Sequence, residues 1–144
     1  LAEWRDRMDP GVVRLMDAGF AMRAVDFKRL EFVRTEHWLK LAPILVEFDA
    51  LLCPTMTMAA PETGKAEQEF EFVDDTGRYH ALDMTAPFSC VSQCPAISVP
   101  SGFTEDGLPT GLQIVGRRYD DLGVLNIAAA LEQIRPWADR RPPP

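Results

Sequence analysis

The residue types that most often act as nucleophiles or bases are few in this chain. Its histidines are His37 and His80, and its cysteines are Cys53, Cys90 and Cys94. A thiol ionises when a base or a positive charge lies near it, so a Cys90 or Cys94 nucleophile activated by His80 is one hypothesis. The cysteines also lie in apolar surroundings, where a buried and inert thiol is the common case. His37 follows the apolar spacing of a predicted helix, which favours a core or interface histidine over a ligand.

Metal sites and phosphate-binding loops need residue patterns that do not occur here. The cysteines form one isolated residue and a Cys-x3-Cys pair, from which no four-ligand zinc site can be assembled. Gly107, Gly111 and Gly116 match neither the G-x-G-x-x-G spacing nor the Lys-Ser/Thr of a nucleotide site. The sequence has no G-x-S-x-G elbow and no Ser near a Lys with a glycine cradle. We therefore predict no metal, no cofactor and no complete catalytic set within the chain.

Composition limits the class of protein and the kind of partner. With 144 residues and 47% hydrophobic content, the chain can bury one compact core as a single region. The 15 basic residues are scattered among 22 acidic ones, and the net charge of −7 argues against nucleic acid or an anionic membrane as partner. No apolar run is long enough for a membrane span. Three cysteines, an odd number, suit a reducing compartment, so we expect a cytoplasmic location. A charged, helix-like start at Leu1 also predicts that the chain is a piece of a larger protein.

Two helices are predicted in the first third of the chain. Asp9 and Pro10 form an N-cap and a first helical position, and Gly19 is placed to stop this helix after about two turns. A longer helix follows, and Pro43 should kink it or restart it. Its apolar face recurs every three or four residues, at Leu30, Val33, His37, Leu41, Ile44 and Phe48.

The remaining segments read as strands, turns and two further helices. Residues 48–53 predict a buried strand, and residues 56–80 predict a surface excursion with an acidic run at 67–71 and a short hairpin around Gly77. This excursion either borders a site or is a solvated insertion.

A short helix ending near Ser92 leads into two neighbouring strands, 94–102 and 107–116, joined by a turn at 105–107. Asp120 and Asp121 can cap a final helix, which Pro136 ends. The apolar face of that helix is formed by Leu125, Ala128, Ala129 and Leu131. Residues 137–144 form a tail whose Arg- and Pro-rich end is not expected to pack.

Five blocks of the chain resemble, in order and approximate spacing, the C-terminal third of amidase signature family enzymes. They are residues 48–55, 85–88, 94–102, 106–116 and 128–132. The resemblance implies an α/β fold in which this chain is part of a large mixed β-sheet flanked by helices. Family members hydrolyse carboxamides with a Ser nucleophile, a second Ser in a cis peptide and a Lys base, all located N-terminal to the part resembled here.

The resemblance therefore implies a chain that is inactive alone and supplies sheet scaffold and one wall of a substrate pocket. Its implied partners are a small-molecule amide and the N-terminal remainder of the amidase domain, and a homo-oligomer is left open. The alternative is a self-standing, non-catalytic α/β module with a binding or structural role.

The residues of that wall are inferred from position. In the glutamine-specific branch of the family, an Asp upstream of the strand Pro contacts the substrate's amino group, and Asp83 occupies the similar place relative to Pro95. An Asp at this position can equally be a helix cap. Met84, Thr85 and Phe88 are candidates for an apolar lining, with plain core packing the alternative for Phe88.

Two further candidates, Thr55 and Met56, directly follow the first predicted strand. Sheets of α/β proteins tend to place ligand-binding groups at the carboxyl ends of their strands. We therefore expect Thr55 and Met56 to lie on the same wall.

Overall fold

The computed structural model describes residues 2–65, 69–91 and 93–139. Positions 67 and 68 of the acidic run, the helix end near Ser92, and residues 140–144 of the tail lie outside the described residues. A short 3₁₀ helix opens the chain at Ala2–Arg7. The helices and strands that follow are α1 (Pro10–Ala21), α2 (Ala24–Glu47), β1 (Ala50–Pro54), β2 (Phe72–Val73), β3 (Tyr79–His80), α3 (Ala86–Val91), β4 (Ala96–Phe103), β5 (Pro109–Gly116) and α4 (Asp121–Ile134). Among the described residues, no helix is both long and apolar enough to cross a bilayer.

Contacts divide the chain into two units, residues 1–37 and residues 38–144. In the first unit, α1 begins as predicted, because the Asp9 carboxylate accepts hydrogen bonds from the backbone N–H groups of Gly11 (2.7 Å) and Val12 (3.2 Å). The predicted stop at Gly19 is wrong, since α1 continues to Ala21. A glycine inside a helix costs only about 0.5–1 kcal/mol, which is too little to end it. No residue of α1 is buried.

Helix α2 is continuous through Pro43, so the predicted restart there is wrong. Proline removes a single backbone donor, and packing on both sides of Pro43 offsets that loss. In the second unit, Leu41 and Leu45 are 8% and 3% exposed and form a cluster with Val91 of α3. The predicted apolar face is correct at Leu41 only, since His37 is exposed and the remaining positions, Leu30, Val33, Ile44 and Phe48, are 38–54% exposed.

The main sheet has the order β1-β5-β4, with both pairs antiparallel. Its central strand is the most buried part of the chain, and the side chains of Ile114 and Val115 are fully buried. The two strands predicted at 94–102 and 107–116 are confirmed as β4 and β5. The prediction of a fully buried strand at 48–53 is wrong: β1 lies at an edge of this three-stranded sheet, and Leu52 is 51% exposed.

Helix α4 covers one face of β4 and β5. Its predicted cap is confirmed, because the Asp120 carboxylate accepts a hydrogen bond from the Gly123 N–H at 3.0 Å. Its buried residues are Val124 and Ala128, whereas the predicted core residue Leu125 is 54% exposed. Val124 and Ala128 form a hydrophobic cluster with Val99 and Ile114 of the sheet. Trp137, the first residue of the predicted tail, packs against this cluster.

A two-stranded hairpin is present where the sequence predicts one. Strands β2 and β3 pair antiparallel, and the turn between them contains Gly77 at φ +81°, a conformation that glycine adopts without strain. The Asp74 carboxylate organises this turn, since it accepts hydrogen bonds from the backbone N–H groups of Thr76 and Arg78 at 3.0 and 2.9 Å.

Candidate functional site

Two short segments, far apart in sequence, lie side by side at the carboxyl end of β1. Met56 and Asp83 form an antiparallel bridge. The Thr57 N–H donates to the Leu82 carbonyl at 2.9 Å, and the Met84 N–H donates to the Thr55 carbonyl at 3.2 Å. The structure therefore brings together Thr55, Met56, Asp83 and Met84, four of the six predicted site residues, through backbone hydrogen bonds.

Asp83 lies three residues before α3, and its carboxylate contacts the backbone at the start of that helix. One carboxylate oxygen accepts a hydrogen bond from the Thr85 N–H at 2.7 Å, and the other accepts one from the Ala86 N–H at 3.2 Å. These contacts match the helix-cap interpretation of the sequence. Hydrogen bonding from the Thr85 side chain, followed by the backbone N–H groups, lowers the pKa of Asp83 below its ordinary range. The carboxylate is thus negative at neutral pH and, after these hydrogen bonds, keeps acceptor capacity that a ligand can use.

Thr55 directly follows β1 and forms hydrogen bonds with the other two strands of the main sheet. Its N–H donates to the Gly111 carbonyl at 3.0 Å, and its hydroxyl lies 2.7 Å from the Ser98 hydroxyl. Gly111 lies beside both hydroxyls, and a Cβ atom at this position would lie 2.8 Å from the Thr55 hydroxyl oxygen and 3.0 Å from that of Ser98. The close approach explains why a glycine occupies position 111.

The other predicted lining residues belong to the start of α3. The Thr85 carbonyl accepts hydrogen bonds from the backbone N–H groups of Phe88 (3.1 Å) and Ser89 (3.0 Å). Phe88 packs against the cluster of Leu41, Leu45 and Val91. These contacts match the alternative prediction for Phe88, which is packing in the core rather than lining a pocket.

Sequence reasoning missed one residue of this region, Gln113. It is the buried polar residue of the described part of the chain, with 2% of its surface exposed. Its side-chain nitrogen donates to the Met84 carbonyl at 3.2 Å and contacts the Cys53 sulfur at 3.3 Å. The sequence signal that could have identified it is a single amide side chain within the apolar segment 112–115. A polar group buried in such a strand needs a hydrogen-bond partner elsewhere in the fold.

An open cleft of about 770 Å³ adjoins these segments. It is bounded by the end of β1, the loop that follows, and the first half of β5. Of the predicted site residues, only Met56 lines it, and none of its lining side chains is charged. The lining residues are Leu52, Cys53, Pro54, Met56, Thr57, Met58, Ala59, Ala60, Pro61, Leu82, Ser101, Pro109, Thr110, Gly111 and Leu112.

The hypothesis of a cysteine nucleophile gains nothing from the structure. The His80 ring donates a hydrogen bond to the Asp74 carboxylate at 2.7 Å and stacks on Phe72 with ring centroids 4.8 Å apart. Cys94 packs against the cluster of α2 and α3, and burial raises the pKa of its thiol despite the nearby Arg118 guanidinium. A thiol with a raised pKa is a poorer source of thiolate at neutral pH.

Comparison with known proteins identifies the family. A family profile described as "Amidase" matches residues 4–125, which is most of the chain. The chain belongs to the amidase signature family. The acylamidase of Rhodococcus erythropolis is 34% identical to it over 99% of this chain. The glutamyl-tRNA(Gln) amidotransferase subunit of Brevibacillus brevis is 38% identical over 81% of this chain. The resemblance inferred from the five blocks is confirmed.

Solved amidase structures confirm the α/β fold. A crystal structure titled as an amidase superposes with a TM-score of 0.73 over 93% of this chain, at 30% sequence identity. A bacterial aryl acylamidase of the amidase signature family gives a TM-score of 0.70 over 92% of this chain, at 27% identity. The chain spans 30% of the Rhodococcus acylamidase and 22% of the Brevibacillus protein.

Proposed function

We propose that this chain is part of an amide hydrolase, to which it contributes sheet scaffold and one wall of the substrate pocket. The observation that carries the proposal is the pairing of residues 55–57 with residues 82–84 beside an uncharged cleft. Pockets for small molecules combine an apolar lining with a few fixed polar groups, which is the composition found here. Similar proteins named as acylamidases agree with this activity.

The chemistry would follow the family's mechanism, with its nucleophilic Ser, cis-peptide Ser and Lys base located outside these residues. The Lys and second Ser would activate the nucleophile, which attacks the amide carbonyl while backbone N–H groups hold the oxyanion. Loss of the amine leaves an acyl-enzyme, and water then releases the acid. On this proposal the 144-residue chain alone is catalytically silent.

On this proposal the wall residues have different tasks. Met56 lines the uncharged cleft and contacts the apolar part of a linear carboxamide. Asp83, paired with Met56, offers the negative charge that a substrate amino group needs. A backbone hydrogen bond between Thr55 and Met84 holds the two segments together, the Thr85 N–H holds the Asp83 carboxylate, and Phe88 anchors the start of α3 in the core.

Partners and compartment follow from the same proposal. The remainder of the amidase domain would complete the pocket, and the substrate would be a small amide. Cys53, Cys90 and Cys94 carry thiols rather than a disulfide, which suits the reducing cytoplasm.

The test uses the protein encoded by the complete reading frame and compares two amides, neutral hexanamide and amino-bearing glutamine. The Asp83→Asn variant keeps a residue that caps helices well and removes the charge. Its matched control is Asp106→Asn, in the exposed turn between β4 and β5. We expect wild type to release ammonia. Asp83→Asn should raise KM for glutamine roughly tenfold or more and leave hexanamide unchanged, because a charge-assisted hydrogen bond is lost.

Each outcome decides a separate part of the proposal. Absence of ammonia release from either amide by the complete protein would contradict the hydrolase activity. Equal effects of Asp83→Asn on both amides would leave Asp83 as a helix cap only. A reading frame with no Lys and no Gly/Ser-rich segment upstream would favour the non-catalytic module.

A further inference from the structure

Gln113 occupies an unusual position for a polar residue. It lies on β5, the central strand, where the register places it opposite Cys53 on β1 and Ser98 on β4. Its neighbours in sequence, Ile114 and Val115, are fully buried. A side-chain amide in such a position is unfavourable unless hydrogen bonds satisfy it.

One of these hydrogen bonds connects Gln113 to Met84, a predicted residue of the pocket wall. The Gln113 side-chain nitrogen donates to the Met84 carbonyl at 3.2 Å, across 29 residues of sequence. The second contact, to the Cys53 sulfur at 3.3 Å, is weaker because a thiol is a poor acceptor. Since the Met84 N–H donates to the Thr55 carbonyl, both backbone polar groups of Met84 are held, one by Gln113 of β5 and one by the residue that follows β1.

We propose that Gln113 is a positioning residue that fixes residues 83–85 on the wall of the amidase pocket. Met84 lies between Asp83 and Thr85. The Asp83 carboxylate accepts a hydrogen bond from the Thr85 N–H. Holding the Met84 carbonyl therefore fixes the backbone on which the Asp83 carboxylate is presented. The link to catalysis rests on the proposed function, whereas the positioning itself rests on these hydrogen bonds alone.

Two variants of Gln113 test the positioning. Gln113→Met has a similar length and shape but no donor, and an apolar side chain suits this buried site. Gln113→Asn keeps the amide but is one methylene shorter, so it cannot reach the Met84 carbonyl. The matched control is Cys53→Ala, which removes the sulfur contact and leaves the hydrogen bond to Met84 intact.

The first measurement is hydrogen exchange of the complete protein, followed by NMR. In both Gln113 variants we expect the amides of Met84 and Thr85 to exchange roughly five to ten times faster than in wild type, as loss of one hydrogen bond predicts. The amides of Ile114 and Val115 should keep their rates, and Cys53→Ala should change none of the four. Unchanged exchange at Met84 and Thr85 would overturn the proposal.

The second measurement is steady-state kinetics of the complete protein with glutamine. Gln113→Met should raise KM roughly five- to tenfold while kcat stays within about twofold, because the pocket wall and not the reacting groups has moved. Faster exchange without any change in KM would show that residues 83–85 do not contact substrate and would overturn the link to the pocket. If wild type hydrolyses no amide, the proposed function fails, and the exchange rates alone decide whether Gln113 positions this segment.

Discussion

Helices α1 and α4 begin in the same way but differ in how much of their surface is buried. Each is capped by an aspartate, Asp9 or Asp120, and each carries an apolar stripe. Helix α4 buries Val124 and Ala128 against the sheet, whereas no residue of α1 is buried and Leu15 is 75% exposed. A cap and a stripe thus predict that a helix forms, but burial of the stripe requires a surface that covers it.

The comparison predicts where the stability of the chain resides. The largest expected effect is at Ile114, which is fully buried in the cluster beneath α4. Ile114→Ala should lower the free energy of unfolding by about 2–5 kcal/mol, since it removes buried surface and leaves a cavity. The matched control, Leu15→Ala in α1, should change it by less than about 0.5 kcal/mol. Urea denaturation monitored by circular dichroism measures both, and equal losses would contradict the contrast between the two regions.

Glycine substitutions sharpen the same comparison at a smaller scale. In Gly111→Ala the new Cβ would meet the hydroxyls of Thr55 and Ser98, so we expect a loss of about 1–3 kcal/mol from overpacking. In α1, nothing lies within 4 Å of a Cβ at Gly19, and Gly19→Ala should stabilise the helix by about 0.5–1 kcal/mol. Thermal unfolding of the two variants shows whether each one loses or gains stability relative to wild type. A neutral Gly111→Ala would show that the hydroxyl pair can move aside.

The smallest expected effect is a local response of the β2–β3 hairpin to acid. Hydrogen bonds from the Thr76 side chain, the His80 ring and the Arg78 backbone hold the pKa of Asp74 well below its ordinary value of 3.8. A lowered folded pKa means that the contribution of Asp74 is present above pH 3.8 and is lost as the pH falls through the folded value. The Thr76 and Arg78 amide signals in NMR should therefore shift only below about pH 3.8. The same transition in Asp74→Asn would exclude this carboxylate as its origin.

Local signals made much of the fold predictable. Asp-Pro and Asp-Asp caps located α1 and α4, and Pro and Gly residues at both ends located β4 and β5. Each of these signals acts within a few residues of the element that it defines. The family resemblance likewise came from short blocks whose order could be read directly.

Features that depend on distant partners were not predictable in the same way. Leu52 is exposed because its side chain faces the open cleft, and the position of β1 at a sheet edge is set by pairing with β5, about 60 residues later. Gln113 acquires its role from Met84, and nothing near position 113 indicates that partner. The candidate site was partly predicted, since Asp83 and Met56 were named, but their pairing appears only when the chain is folded.

Our central proposal is that these 144 residues complete an amide-hydrolysing site and do not contain its catalytic groups. The direct measurement is ammonia release from hexanamide and glutamine by this chain alone and by the protein of the complete reading frame, at equal concentrations. The account predicts release by the complete protein and none above background by the chain alone. Release by the chain alone, abolished by Cys94→Ala, would contradict the account and would place the nucleophile within these residues.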